Sequence, residues 1–271
     1  MEHYLWLVLL GFVVGTYGTL IGAGGGFVLV PVLLLIYPDE SPEIITSISL
    51  AVVFFNAFSG SSAYAHMKRI DYKSGMIFAA ATIPGAVLGA LSTSLVPRRL
   101  FDMILGMLMI AAAVFLLFYS GGTKENPVKK SVHQVVRQIT DRDGTHYSYT
   151  FNLIPGVGLS CLTGFLATFL GIGGGIIHVP ILVQVLDFPV HIATATSHFV
   201  LAIMALTGTI VHIVTGSFSH GLYRTIALAI GVLIGAQLGA RLSGYLHGRR
   251  IIQGLAIALV FVGVRIIFKA L

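Results

Sequence analysis

Charge is scarce in this chain. Asp, Glu, Lys and Arg make up 10 % of its 271 residues, against 56 % that are hydrophobic, which excludes most soluble classes and points to a polytopic membrane protein. Cysteine is nearly missing as well. Cys161 alone can close no internal disulfide and build no thiolate cage, so it reads as a small packing residue. Acidic side chains are absent from the middle of every apolar run: Glu2, Asp39, Glu40, Glu43, Asp71, Asp102, Glu125, Asp141, Asp143 and Asp187 all fall in loops or at run ends. A cation route or a carboxylate proton relay needs an ionisable group inside the membrane, so the gap favours an anion or a neutral solute. His-x-Glu, paired catalytic carboxylates and a Ser/His/Asp order are also missing; no enzyme, cofactor or metal is expected. The net charge of +6 would suggest nucleic acid in a soluble domain. Here the basic residues sit between runs, where the positive-inside rule accounts for them, so the expected partners are the bilayer and a small solute.

What is present is a pattern that occurs twice. GTYGTLIGAGGGFVLVP from Gly15 to Pro31 faces GFLATFLGIGGGIIHVP from Gly164 to Pro180, with Thr19 against Thr168, Gly22 against Gly171, Gly24, Gly25 and Gly26 against Gly173, Gly174 and Gly175, all 149 residues apart. Glycine in a helix interior costs about 1 kcal/mol relative to alanine, so each glycine run predicts a break. Length argues the same way. Residues 4–37 as one helix would measure about 50 Å, well beyond the hydrocarbon core. The N-terminus has no basic n-region and no small-residue cleavage site, and reads as a retained membrane segment.

Further spans are expected at 44–66, 72–94 and 100–119, then, after a second broken run over 152–186, at 190–215, 222–246 and 250–270. Other matches support a duplication: Thr46, Ser49, Ser59 and Gly60 align with Thr194, Ser197, Thr207 and Gly208. The polar stretch 120–151 divides the halves. Within it, Val132–Thr140 and Thr145–Phe151 flank an Asp-Gly turn and read as a β-hairpin, with a disordered linker as the alternative. The expected fold is therefore an all-α polytopic membrane protein of two homologous repeats, 1–119 and 152–271, each with about four hydrophobic segments of which the first is broken at a GxGGG run, joined by a linker with a short hairpin. Whether each broken run crosses or turns back, eleven basic residues fall on the linker's side and five on the other. Both topologies put the linker in the cytoplasm, and parallel and inverted repeats stay open.

Repeat-built transporters bind substrate near the midplane, where interrupted helices expose their ends. Backbone N–H groups at a half-helix start favour an anion. Candidate site residues are the glycines named above with the neutral hydrogen-bonding groups Thr19, Ser49, Asn56, Ser59, Thr168, Thr194, Thr196, Ser197 and Thr207. Small-xxx-small packing is the competing use of such residues. His178, His198 and His212 lie in or near spans, where they serve either proton coupling or packing. Arg241, opposite Leu91 of the first half, either attracts an anion or snorkels.

The duplicated GxxxTxxGxGGGxxxxP pattern, the Thr/Ser-rich second span of each half and the glycine-rich third span resemble the TauE/SafE family of sulfite and organosulfonate exporters, across residues 5–119 and 152–270. The resemblance implies a bacterial or archaeal inner-membrane permease exporting a small sulfur-containing anion. A channel-like anion pore and an accessory subunit with structural glycines are the alternatives. The insert at 120–151 is longer than a plain linker, which leaves a regulatory role or a homodimer open.

Overall fold

The computed structural model describes residues 2–118, 134–243 and 260–268. Lys124, Lys129 and Lys130 of the linker, and the start of the last expected span, lie outside these residues. The described chain is mostly helical, with one two-stranded sheet. In order come α1 (Glu2–Leu20), α2 (Gly26–Ile36), α3 (Pro42–His66), α4 (Tyr72–Thr93), α5 (Arg98–Phe118), β1 (Gln134–Thr140), β2 (His146–Asn152), α6 (Leu153–Leu170), α7 (Gly175–Pro180) running into a π-helical turn (Ile181–Val185), α8 (Val190–Val214), a 3-10 turn (Ser217–Gly221), α9 (Leu222–Leu242) and α10 (residues 260–268). Five helices among the described residues, α3, α4, α6, α8 and α9, are long and apolar enough to cross a membrane.

Local chemistry sets the boundaries. Ser41 caps α3 by accepting from the N–H of Ile44, with Pro42 at the first helical position, where its missing N–H costs nothing. Asp71 caps α4 and Asn152 caps α6 in the same way. Where α1 and α6 end, the chain takes left-handed values at Gly22, Gly24 and Gly25, and at Gly171, Gly173 and Gly174. A residue with a Cβ adopts such values at a cost, so the helix cannot continue through them.

Glycine seams fix which helices meet and in what direction. Gly11 of α1 lies against Leu228 of α9 and Gly15 against Val232; in return Gly231 and Gly235 press on Phe12, and Gly239 on Thr16. Residue numbers rise together, so α1 and α9 run parallel. Gly85 against Cys161 and Gly89 against Phe165, with Thr93 donating to the Phe169 carbonyl, make α4 and α6 parallel too. By contrast Gly60 of α3 meets His198 of α8 while Gly208 meets Leu50, so α3 and α8 are antiparallel. Small residues bring the backbones close, which is how helices associate without a hydrophobic driving force. Because the short turn after α8 reverses the chain, α9 runs with α3, and α1 therefore runs with α3 as well. The chain must return between α1 and α3. α2, about 16 Å long at 1.5 Å per residue, with the loop before Ser41 provides that return.

The hairpin is strapped to one end of the bundle. Its register pairs Arg137 with Tyr149 and Val135 with Phe151. Tyr149 and Phe151 pack at a tilt on Phe188, with ring centroids 4.5 and 4.9 Å from it, in a cluster with Phe78, Leu182 and Leu186. Tyr149 donates to the Asp71 carboxylate at 2.8 Å, Arg137 pairs with Asp71 at 3.5 Å, and Arg69 bridges to Asp141 and Asp143. Burial pulls the Asp141 carboxyl upward, but the N–H groups of Thr145 and Asp143 and the Arg69 guanidinium outweigh it and hold it below the ordinary carboxylate value. With the folded value lowered, this anchor is complete above the unfolded carboxylate value and is lost as pH falls through the folded one. Hydrogen exchange at 141–145 should therefore be unchanged from about pH 8 to about pH 5 and rise only below about pH 4, beyond its intrinsic pH dependence. Equal relative protection on both sides of that window would remove Asp141 as the anchor.

Candidate functional site

The two glycine loops meet. A Cβ on Gly26 would sit 2.7 Å from the carbonyl of Ile172 and 2.8 Å from that of Gly171; a Cβ on Gly175 would sit 2.5 Å from the Cα of Ala23 and collide with the carbonyl of Gly22. Each loop thus presses its helix-starting glycine on the other at positions 149 residues removed. Their flanks correspond too, with Gly22 against Thr194 of α8 and Gly171 against Thr46 of α3. No side chain caps α2 at Gly25 or α7 at Gly174, and the first N–H groups of any helix lack intrahelical partners.

Around the first loop the structure brings Thr19, Asn56 and His198 together. The Thr19 hydroxyl donates to Asn56 Oδ1 at 3.0 Å and lies 3.2 Å from His198 Nε2; all three residues are fully buried. Tyr64 closes this group by donating to the Thr19 carbonyl at 2.9 Å and setting its ring edge-on to His198. Around the second loop Ser49 donates to the Gly171 carbonyl at 2.7 Å. Ser49→Ala should leave that buried carbonyl unpaired and lower stability by about 1–3 kcal/mol, seen as a drop in apparent Tm; an unchanged Tm would mean that the carbonyl has other partners. Four buried atoms near these loops have no hydrogen-bond partner among the described residues: Asn56 Nδ2, Thr168 Oγ1, Ser197 Oγ and His198 Nδ1.

Other expected residues lie elsewhere. Ser59 donates to the Leu233 carbonyl and accepts from Gln237, in the seam between α3 and α9. Thr196 accepts from the Asp71 N–H and so ties α8 to the start of α4. Thr207 bonds back to Ile203 within α8. His178 pairs with Ser160 at 3.3 Å beside Phe78, and His212 is buried with neither ring nitrogen partnered among the described residues. Arg241 stands exposed in the last turn of α9, as a snorkelling side chain would. The buried acids Asp71, Asp102 and Asp141 all sit at helix ends or in the hairpin. Among the described residues no cluster of His, Cys, Asp or Glu is placed to hold a metal ion.

Sequence reasoning missed Tyr64, Gln237 and Gly60. Asn56, Gly60 and Tyr64 are spaced four apart on one face of α3, so helical spacing from Asn56 was the available signal for two of them. Gln237 had none, because its partner is on another helix. A shallow groove lined by Leu108, Ala112, Ile177, Ile181 and Gln184 shares no residue with the polar centre and is almost wholly apolar.

Apolar helices around a buried, uncharged polar centre define a multi-pass membrane protein of the solute-transport class. The sequence matches the family described as sulfite exporter TauE/SafE over residues 7–266, and the chain belongs to that family. It is similar to the probable membrane transporter protein YunE of Bacillus subtilis, with 32 % identity covering 99 % of this chain and 98 % of the relative. It is also similar to the probable membrane transporter protein MJ0441 of Methanocaldococcus jannaschii, with 29 % identity over 75 % of this chain and 70 % of the relative. No solved structure gives a significant match.

Proposed function

We propose that this protein is a secondary transporter exporting a small sulfur-containing anion, sulfite or an organosulfonate, across the inner membrane, with the substrate held where the two glycine loops meet. The carrying observation is the fully buried Asn56, whose amide N–H groups lack an acceptor among the described residues, beside the Thr19 network. An unpaired buried donor costs about 1–3 kcal/mol, and an oxyanion supplies the missing acceptor. Packing alone accounts for the glycines but leaves this donor idle. Loop-on-loop contact at the centre favours an occluded carrier over an open pore.

The two halves are inverted repeats, in domains 1–119 and 152–271. In support, the corresponding helices α3 and α8 are antiparallel, and each half's first helix packs on the other half's third. Both broken runs then turn back, and the hairpin shares its side with Lys68, Lys73 and Arg241, the cytoplasmic side by positive charge. Cysteines placed at Ser41 and Asp187 in a Cys161→Ser background should label from opposite faces of the membrane. Labelling from the same face would mean that each run crosses. Access alternates by rocking the α1–α9 and α4–α6 pairs about the loops.

Thermal shift with sulfite, sulfate, thiosulfate, sulfoacetate, taurine, acetate and chloride tests the substrate class. A ligand at about 100 times its Kd should stabilise the folded protein by about 2.7 kcal/mol. Sulfite or a sulfonate should give the largest shift, and Asn56→Leu should abolish it. Shifts by none of the anions would end the anion reading.

A further inference from the structure

The two loops are alike in backbone but not in the side chains around them. Gly60 packs against Thr19 and His198, and Gly208, 148 residues on, packs against Thr168 and Leu50. Leu50 thus stands where the first pocket has His198, and Met204 stands in the position corresponding to Asn56. The first pocket holds an amide and a histidine, whereas around the second stand hydroxyls, Ser49 and the buried Thr168.

Protons can be assigned within the polar pocket. Thr19 has a single hydroxyl hydrogen, and it goes to Asn56 Oδ1. The bond between Thr19 Oγ1 and His198 Nε2 must then be donated by the histidine. With the hydrogens so placed, neutral His198 carries its own on Nε2, and its buried Nδ1 has no side-chain partner among the described residues. Asn56, with its unpaired amide hydrogens, and His198 both hydrogen-bond to the Thr19 hydroxyl, so N–H donors and a proton acceptor flank one buried side chain.

We propose that this single pocket binds the anion together with one proton, taken up on His198 Nδ1. The proposal rests on the anion-transport reading. A buried imidazolium without a counter-charge is costly, and so is a buried anion; bound together they compensate each other through a charge-assisted hydrogen bond. Among the described residues no carboxylate pairs with His198 to neutralise that charge. From α3 the titratable group facing His198 is Tyr64, with Arg69 beyond it already paired to Asp141 and Asp143. From α1 come Thr19 and the backbone of Gly22, which lies in hydrogen-bonding position to the His198 ring. His178 of α7 is engaged with Ser160, and at the start of α4 Asp71 is engaged with Ser74, Tyr149 and Arg137. No ion pair among the described residues involves His198.

Calorimetry on the purified full-length protein tests this, with methanesulfonate and sulfite as probes in buffers of high and low ionisation enthalpy. Methanesulfonate is the decisive probe because its own charge is fixed across the range. Wild type should take up about one proton per methanesulfonate, and affinity should fall about tenfold per unit of pH once His198 is deprotonated. His198→Gln, shown to be folded by its unfolding profile, should bind weakly with no proton uptake and no pH dependence. Thr168→Ala should lose less affinity than Asn56→Leu. Proton uptake persisting in His198→Gln, or the reverse order of the last two variants, overturns the single-pocket assignment. Wild-type binding without proton uptake overturns it too, while the anion reading stands. If wild type binds neither probe, the anion reading itself falls and takes the pocket with it.

Discussion

Gly26→Val should abolish most of the folded protein, with Gly175→Val matching it. Neither glycine is required for its backbone angles, since only Gly22, Gly24, Gly25 and their counterparts have positive φ. Space is the reason. The new Cβ of Gly26 meets the carbonyls of Gly171 and Ile172 within 2.8 Å, and that of Gly175 meets Ala23 and Gly22. These are backbone atoms at the end of a helix held by two seams, so no rotamer change relieves the clash. Overpacking costs about 1–3 kcal/mol where side chains can yield, so about 3 kcal/mol or more is expected here. At about 2–4 °C per kcal/mol, the apparent Tm should fall by roughly 6–12 °C or expression should fail. Gly158 is the control. It is an exposed helical glycine of α6 with nothing near its Cβ position, and Gly158→Ala should stay within about 1 kcal/mol of wild type. If Gly26→Val keeps the wild-type Tm, the loops do not abut and the central site has no basis.

Asp71→Ala should have the second largest effect, at a position remote from the substrate. The Asp71 carboxylate is buried and accepts from the N–H and hydroxyl of Ser74 and from Tyr149, and it pairs with Arg137. Losing the α4 cap costs about 1 kcal/mol. Removing one partner of a buried pair costs about 3–5 kcal/mol, reduced here because the Arg137 side chain is 22 % exposed and can reach water. A loss of about 3 kcal/mol is expected. It should appear as faster tryptic cleavage at the exposed Arg142 in the hairpin turn, because the strap loses its hold on the bundle. Asp71→Asn keeps the cap and an acceptor for Tyr149, so about half that loss is expected. Unaltered cleavage in Asp71→Ala would show that the aromatic contacts with Phe188 alone hold the hairpin.

The hairpin was legible because strand alternation and an Asp-Gly turn are local signals, and the strands fall within two residues of where they were expected. What Tyr149 and Phe151 bury against was not legible, since Phe188 and Phe78 belong to other helices. The same division runs through the candidate site. Thr19, Asn56 and His198 could each be nominated as hydrogen-bonding groups in apolar runs, yet nothing in the chain joined a residue of α1 to one 179 positions later. Ser59, Thr196 and Thr207 carried an equal signal and have packing partners instead.

By itself the sequence determined the membrane class, most of the span limits and the two places where a glycine run breaks a helix. These follow from hydropathy run length, capping side chains and the cost of a Cβ at positive φ, all of which act within a few residues. Helix direction was beyond its reach, because crossing and turning back leave the same eleven basic residues on the hairpin's side. Only the tertiary structure decided that α1 and α3 run the same way and that one pocket receives a histidine where the other receives a leucine. Those outcomes depend on which glycine seams close on each other, and seam closure is a matter of backbone approach between distant segments that no local pattern encodes.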